Sequence, residues 1–253
     1  MHPILTSSIP PIEKLPGGLI FDSDLSIKGG EGHCKTLMEG AFLLEKILHA
    51  DDIKALRTIF QQAPKKEEVS ALGLKKSEKE QYFGSERVSL WAPELAEQLY
   101  QLLLPFLSER KFNDFSRTDF WQEPAAFRWK PIGLSPLLRM MSYPKGAEHL
   151  PHYDAAYFYP DAKFCSLMSV IFYLSSHEKG GATRILKDGQ DEIREMERKH
   201  FDRNYPALQE EVKFKVKPKA GSVFLFDHRL FHDAEPCEEE RILIRTDLVF
   251  EAF

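Results

Sequence analysis

From about residue 137 the hydrophobic pattern of the chain changes period. Before that point, apolar residues recur at helical spacing. After it, β-branched and aromatic residues alternate with polar ones in short runs broken by turn residues. The alternation predicts strands near 137–143, 150–155, 167–174, 182–187, 211–217, 222–227 and 241–250. Helices first and many short strands afterwards is the pattern of an antiparallel sandwich or barrel buttressed by helices. The expected class is therefore α+β, mostly β.

The first half supplies the supports. Residues 1–36 are rich in Pro and Gly and read as an arm. Phe42–Leu48 fits a short strand. Asp51 reads as a helix cap, with Ile53, Leu56, Ile59 and Phe60 at helical spacing behind it. Pro93 suits the first turn of a second helix, Leu95, Leu99, Leu102 and Leu103 form its apolar stripe, and Pro105 should end it. The mixed-charge stretch 63–82 reads as a solvated loop, and the charged, helix-prone 188–211 as an insertion, a lid or loop, between strands. One domain over 1–253 is expected: arm 1–36, helical support 37–130, and β core 137–250.

Composition excludes several classes. With 19 Phe, 8 Tyr and 3 Trp the chain has ample apolar surface to bury, so whole-length disorder is excluded. No apolar run reaches the ~18 residues of a membrane span. A net charge of -5 argues against a nucleic-acid partner. GGEG at 29–32 lacks the Gly-Lys-Ser/Thr of a phosphate loop. Cys34, Cys165 and Cys237 are scattered with no CxxC, which points away from a zinc ribbon or disulfide framework. The amino terminus does not read as a secretory signal, and a cytoplasmic setting is expected.

Four of the nine histidines fall in two clusters, His149 and His152 in one, His228 and His232 in the other. His152 and Asp154 are two residues apart, which on a strand places both on one face. His232 follows the strand ending near Phe226 after a short turn. Two His and one carboxylate on one face of a metal leave open positions and suit non-haem Fe(II) oxygen chemistry. Nine residues after His232, Arg241 opens a strand with Leu243, Arg245, Asp247 and Val249 on its face. A cation facing a barrel interior needs an anion, and Arg grips a carboxylate with two parallel hydrogen bonds. A small dicarboxylate co-substrate would fit; equally, Arg241 could neutralise the acidic run before it.

These residues together resemble the Fe(II)/2-oxoglutarate-dependent dioxygenases, in particular the prolyl-4-hydroxylase-like branch. The resemblance is carried by Tyr143-Pro144-Lys145-Gly146, His152-Tyr153-Asp154, Phe172-Tyr173-Leu174-Ser175, Gly180-Gly181-Ala182-Thr183, Gly221-Ser222, His232 and Arg241. It covers the carboxyl-terminal half. Before residue 130, only Arg87–Leu104 and WKPIG at 129–133 are similar to helical supports of some members. The resemblance implies a double-stranded β-helix (jelly-roll) core. It implies that His152, Asp154 and His232 bind iron and that Arg241 holds the far carboxylate of 2-oxoglutarate. Tyr173 would hydrogen-bond that carboxylate, and Tyr143 would contact the co-substrate from a neighbouring strand. Dioxygen is the second co-substrate and ascorbate a supporting reductant. The chemistry implied is hydroxylation of a C–H bond with release of succinate and carbon dioxide. The substrate would be a prolyl or other residue of a protein or peptide, or a small metabolite.

Several residues stay open at this level. Arg245 could bind substrate or pair with Asp247, and Arg139 could be a second inward cation near the substrate. Thr183 reads as a turn-shaping residue. His228 is a rival to His232, but nine residues on from it stands Cys237 rather than an Arg. His149 reads as a rim residue. A catalytically silent barrel that binds a ligand or protein, and a cupin-like metalloenzyme without 2-oxoglutarate, remain as other classes. The segment HDAEPCEEER lacks the Arg spacing typical of phytanoyl-type hydroxylases, which sets the chain apart from that branch.

Overall fold

The structure, a computed structural model, describes residues 19–20, 25–62, 67–68, 85–109, 129–157, 159, 163–189, 203 and 205–252. In chain order the elements are β1 (Leu19–Ile20), β2 (His33–Met38), β3 (Ala41–Glu45), α1 (Ala50–Gln62), β4 (Glu67–Glu68), β5 (Glu86–Trp91) and α2 (Pro93–Glu109). There follow β6 (Trp129–Leu134), β7 (Leu137–Tyr143), β8 (His149–His152), β9 (Phe164–Tyr173) and β10 (Thr183–Leu186). The last four are β11 (Val212–Val216), β12 (Val223–Asp227), β13 (His232–Ala234) and β14 (Arg241–Ala252).

The eight strands from β7 to β14 distribute between two sheets. The larger sheet carries the path β7-β14-β9-β12, and the smaller one is β11-β10-β13-β8. The chain thus passes back and forth between the sheets, except at β10 and β11, which follow one another in the smaller sheet and pair directly. This is the strand order of a double-stranded β-helix, the jelly-roll core expected from the sequence. The larger sheet is extended on one side by β5 and β1 and on the other by β3 and β2. All these pairings are antiparallel except β1 with β5.

The larger sheet is buried on both faces, so its strands read as nearly continuous apolar runs; all ten residues of β9 are buried. Its outer face, with Leu138, Met140, Val170, Phe172 and Ile244, packs against Leu56 and Phe60 of α1 and Leu95, Leu99 and Leu103 of α2. Its inner face, with Met141, Tyr143, Ile171, Tyr173, Phe224 and Phe226, meets Ile185 and Val216 of the smaller sheet. The apolar contact holding the two sheets together is therefore also the wall from which a site between them is built.

Several local readings change. The helix-support segment also supplies strands: β5 lies within it, and WKPIG is strand, pairing with β14. Pairing beside a buried sheet outweighs the weak helical signal of these short runs. Residues 33–36 of the arm belong to β2, which pairs with β3. In the stretch read as a solvated loop, Glu67 and Glu68 pair with β5; the rest of 63–82 lies outside the described residues. Asp52, rather than Asp51, receives the backbone N–H groups of Lys28, Gly29 and His49, which ties residues 28–29 to the start of α1. Pro105 lies within α2 and does not end it, because the buried Leu103 and Leu107 anchor the helix on either side. Within the 188–211 insertion, residues 190–202 and 204 lie outside the described residues. Among the described residues no helix is long and apolar enough to cross a membrane.

Candidate metal and co-substrate site

Two strand ends and one loop bring the triad together. His152 ends β8, His232 begins β13, and the two are direct cross-strand partners. Asp154 is not on the strand, as the two-residue spacing had indicated, but just past its end. Its position is set from the opposite sheet instead. Ser169 of β9 donates a hydrogen bond to its Oδ2, and Arg245 of β14 places a guanidinium nitrogen 2.7 Å from Oδ1. One ligand atom from each of His152, Asp154 and His232 lies within 4.8 Å of the others.

The donor set fits a divalent cation. The Nδ1 atoms of His152 and His232 lie 2.7 and 2.9 Å from the carbonyl oxygens of Leu150 and Leu230. With Nδ1–H donating there, each Nε2 keeps its lone pair for a metal. Those Nε2 atoms stand 3.9 and 3.6 Å from the Asp154 carboxylate. Burial lowers the pKa of His232, although Asp154 and the Leu230 carbonyl oppose it, so the ring favours its neutral, metal-binding form. Burial opposes ionisation of Asp154. Arg245, His232, His152 and His228 outweigh it and hold the carboxyl well below its usual range. The site thus presents two imidazole nitrogens and one carboxylate. One anion and two nitrogen donors with open positions is the set that suits non-haem Fe(II).

Arg241 sits in the same cavity, whose volume is about 220 Å³. It is 1% exposed, and β14 pairs it directly with Tyr143. Its guanidinium carbon lies 4.2 Å from the centre of the Tyr143 ring, and Nη1 donates to the Gly181 carbonyl at 2.6 Å. That carbonyl is presented by a turn in which Gly180 and Gly181 both have φ near +66°, a conformation that favours glycine. The Arg241 Nε is buried with no hydrogen-bond partner in the structure. A buried cation with a donor to spare, facing the triad's cavity, fits an incoming carboxylate.

The Tyr173 hydroxyl is 2.8 Å from Thr183 Oγ1, and burial pushes its pKa up to about 12. Of these two it is Thr183, read from sequence only as a turn residue, that lines the cavity. Arg139 and Arg245 also line it. His149 stacks on His152 with ring centres 3.8 Å apart, on the cavity wall but outside the triad. His228 is turned to Asp247, with Nε2 3.3 Å from Oδ1, and is not one of the triad.

Sequence reasoning missed Ser169 and the Arg184–Asp233 pair. Ser169 sits mid-strand, where no local pattern marks it. Arg184 and Asp233 are cross-strand partners in β10 and β13, joined by two hydrogen bonds of 2.7 and 2.5 Å. The pair fixes β13 one residue from His232. Its signal was an Asp beside a candidate ligand, which spacing alone does not connect to Arg184.

Comparison with known proteins bears on this geometry. No curated protein matches the chain in sequence. Solved structures similar to it include a prolyl-4-hydroxylase from Pseudomonas putida, at 18% identity over 84% of this chain and 92% of that one, TM-score 0.48. Another is a viral collagen prolyl hydroxylase from Paramecium Bursaria Chlorella virus-1, solved as a 2-oxoglutarate complex, at 16% identity over 84% and 96%, TM-score 0.48. A third is a Trichoplax adhaerens prolyl hydroxylase in complex with a peptide fragment of a hypoxia inducible factor, at 15% identity over 83% of each chain, TM-score 0.49. The profile of the phytanoyl-CoA dioxygenase (PhyH) family matches residues 38–241. That match overturns the expectation that the His232-to-Arg241 spacing separates the chain from phytanoyl-type enzymes. Arg241 is positioned by its register against Tyr143 within the larger sheet, so its distance in sequence from His232 is not what places it. The chain belongs to the phytanoyl-CoA dioxygenase family and is a 2-oxoglutarate-dependent dioxygenase of the Fe(II) class.

Proposed function

We propose that His152, Asp154 and His232 hold the iron, that Arg241 binds the far carboxylate of 2-oxoglutarate, and that the enzyme hydroxylates a C–H bond. The observation that carries this reading is the convergence of three ligand atoms within 4.8 Å in the cavity that Arg241 also lines. When bound, iron supplies the activation of dioxygen, coupled to oxidation of 2-oxoglutarate to succinate and carbon dioxide.

The chain's own residues orient the reactants. Ser169 and Arg245 fix the rotation of the Asp154 carboxylate, and the Leu150 and Leu230 carbonyls fix the two imidazoles. Tyr143 supports the Arg241 guanidinium from one face, and the Gly181 carbonyl holds one edge. Arg241 then has a free edge to offer a carboxylate, and Thr183 adds a hydroxyl beside it. Phe226, Ile171 and Leu243 form apolar parts of the wall and keep water from the reacting groups. Ascorbate would serve as a supporting reductant.

The substrate would be a prolyl or other side chain of a protein or peptide, or a small metabolite. The test is conversion of 2-oxoglutarate to succinate by the purified protein. Turnover should require Fe(II) and dioxygen and be lost on chelation. Succinate formation that persists without iron, or none under any condition with iron bound, would count against the assignment.

A further inference from the structure

Three arginines crowd one end of the cavity. Arg87 of β5, Arg139 of β7 and Arg245 of β14 all line it, on three adjacent strands. Arg139 lies directly opposite Arg245, and Arg87 lies opposite Met141, one pleat away from Arg139. Like charges directly opposite across a sheet destabilise it. Such a cluster is expected only where anions compensate it.

Two carboxylates are present, and both are already shared. Asp154 faces Arg245 at 2.7 Å and is also the candidate iron ligand. Asp247 lies 3.4 Å from Arg139, 3.5 Å from Arg245 and 3.3 Å from His228. The other acid on the cavity wall, Asp233, is consumed by Arg184. Arg87 forms no ion pair with an acid among the described residues, and its Nε is buried without a hydrogen-bond partner. Burial, and after it the repulsion of Arg245, pushes the Arg139 pKa down despite Asp247. The arginine end of the pocket therefore holds more positive charge than its own acids balance, with one donor unsatisfied.

This end is not the 2-oxoglutarate end. Arg139 lies four residues along β7 from Tyr143, the partner of Arg241, which is ~13 Å of strand. The triad approaches between them, since Asp154 contacts Arg245 while the ligands share the cavity with Arg241.

We propose that the substrate is a small molecule carrying an anionic group, a carboxylate or a phosphate ester, which Arg87 and Arg139 bind. The proposal rests on the reading of the pocket as an iron and 2-oxoglutarate site, because that reading commits Asp154 to the metal and Arg241 to the co-substrate. A substrate anion then meets a guanidinium with an open donor on one side and a half-neutralised one on the other. The anion fixes which carbon of the substrate faces the triad.

The test is calorimetric binding to the anaerobic protein loaded with Fe(II) and 2-oxoglutarate. The probes are inorganic phosphate, hexanoate against hexanamide, and N-acetylproline against N-acetylprolinamide. Phosphate and the acids should bind and the amides should not. Phosphate separates from the carboxylates according to which group the site prefers. Arg87→Gln should weaken anion binding about tenfold or more, and Arg87→Lys, which keeps the charge, should restore much of it. The affinity for 2-oxoglutarate, measured in the same samples, reports whether the site has formed. Should Arg87→Gln fail to fold, the acid–amide comparison on the unaltered protein and Arg87→Lys decide. Retained 2-oxoglutarate binding with no binding of phosphate or either acid would overturn the proposal. Equal binding of acids and amides, or anion binding indifferent to Arg87→Gln, would overturn it as well. Loss of 2-oxoglutarate binding in the unaltered protein would instead count against the co-substrate reading, and Arg87-dependent phosphate binding would still stand.

Discussion

Replacing His232 with alanine is expected to lower Fe(II) affinity by at least about 100-fold and to abolish 2-oxoglutarate turnover. Losing a residue that only orients a metal ligand already costs ~10–100-fold, and losing a ligand costs more. His232 cannot be replaced from nearby. His228 is held toward Asp247, and His149 stands behind the His152 ring rather than among the ligand atoms. The fold should survive, because the strand is also held by the Arg184–Asp233 pair and by its partners β10 and β8. Equilibrium metal titration with circular dichroism as the folding control checks this. Unchanged iron affinity and turnover in His232→Ala would remove the triad assignment.

Arg241→Ala should act on the other co-substrate. Two charge-assisted hydrogen bonds to a buried carboxylate are lost, so the 2-oxoglutarate affinity should fall by about 100-fold or more. Fe(II) affinity should change little, since Arg241 is not among the ligand atoms. Lysine at this position would keep the charge but not the planar pair of donors, and should restore only part of the affinity. Steady-state measurement of the 2-oxoglutarate KM together with a separate metal titration resolves the two effects. A variant that lost iron and co-substrate equally would show that Arg241 supports the fold instead.

The site was more legible in the sequence than its surroundings. His152, Asp154, His232 and Arg241 stand beside turns or strand ends, where spacing and chemistry both show. The β core was legible for the same reason: alternation marked seven of its strands, with β7 placed over 137–143 as observed. The strand it missed, β13, is three residues long and too short for any period to appear. Of the first-half strands, β5 and β6 are each six residues long, and β5 runs almost directly into α2, so their short patterns were absorbed into a helical reading. The supports of the site were illegible for a different reason. Ser169 and Arg184 act through partners 15 and 49 residues away, and only the register of the sheets brings them together. Asp154 shows both sides of this. Its identity was readable from the His-x-Asp pattern, while its orientation comes from Ser169 and Arg245 across the sandwich.

The most direct measurement is titration of 2-oxoglutarate into the anaerobic protein with and without Fe(II). The account predicts one molecule bound per chain, with affinity that depends on both the metal and Arg241. Binding of the same strength in the absence of metal, or no binding with Fe(II) present, would contradict it.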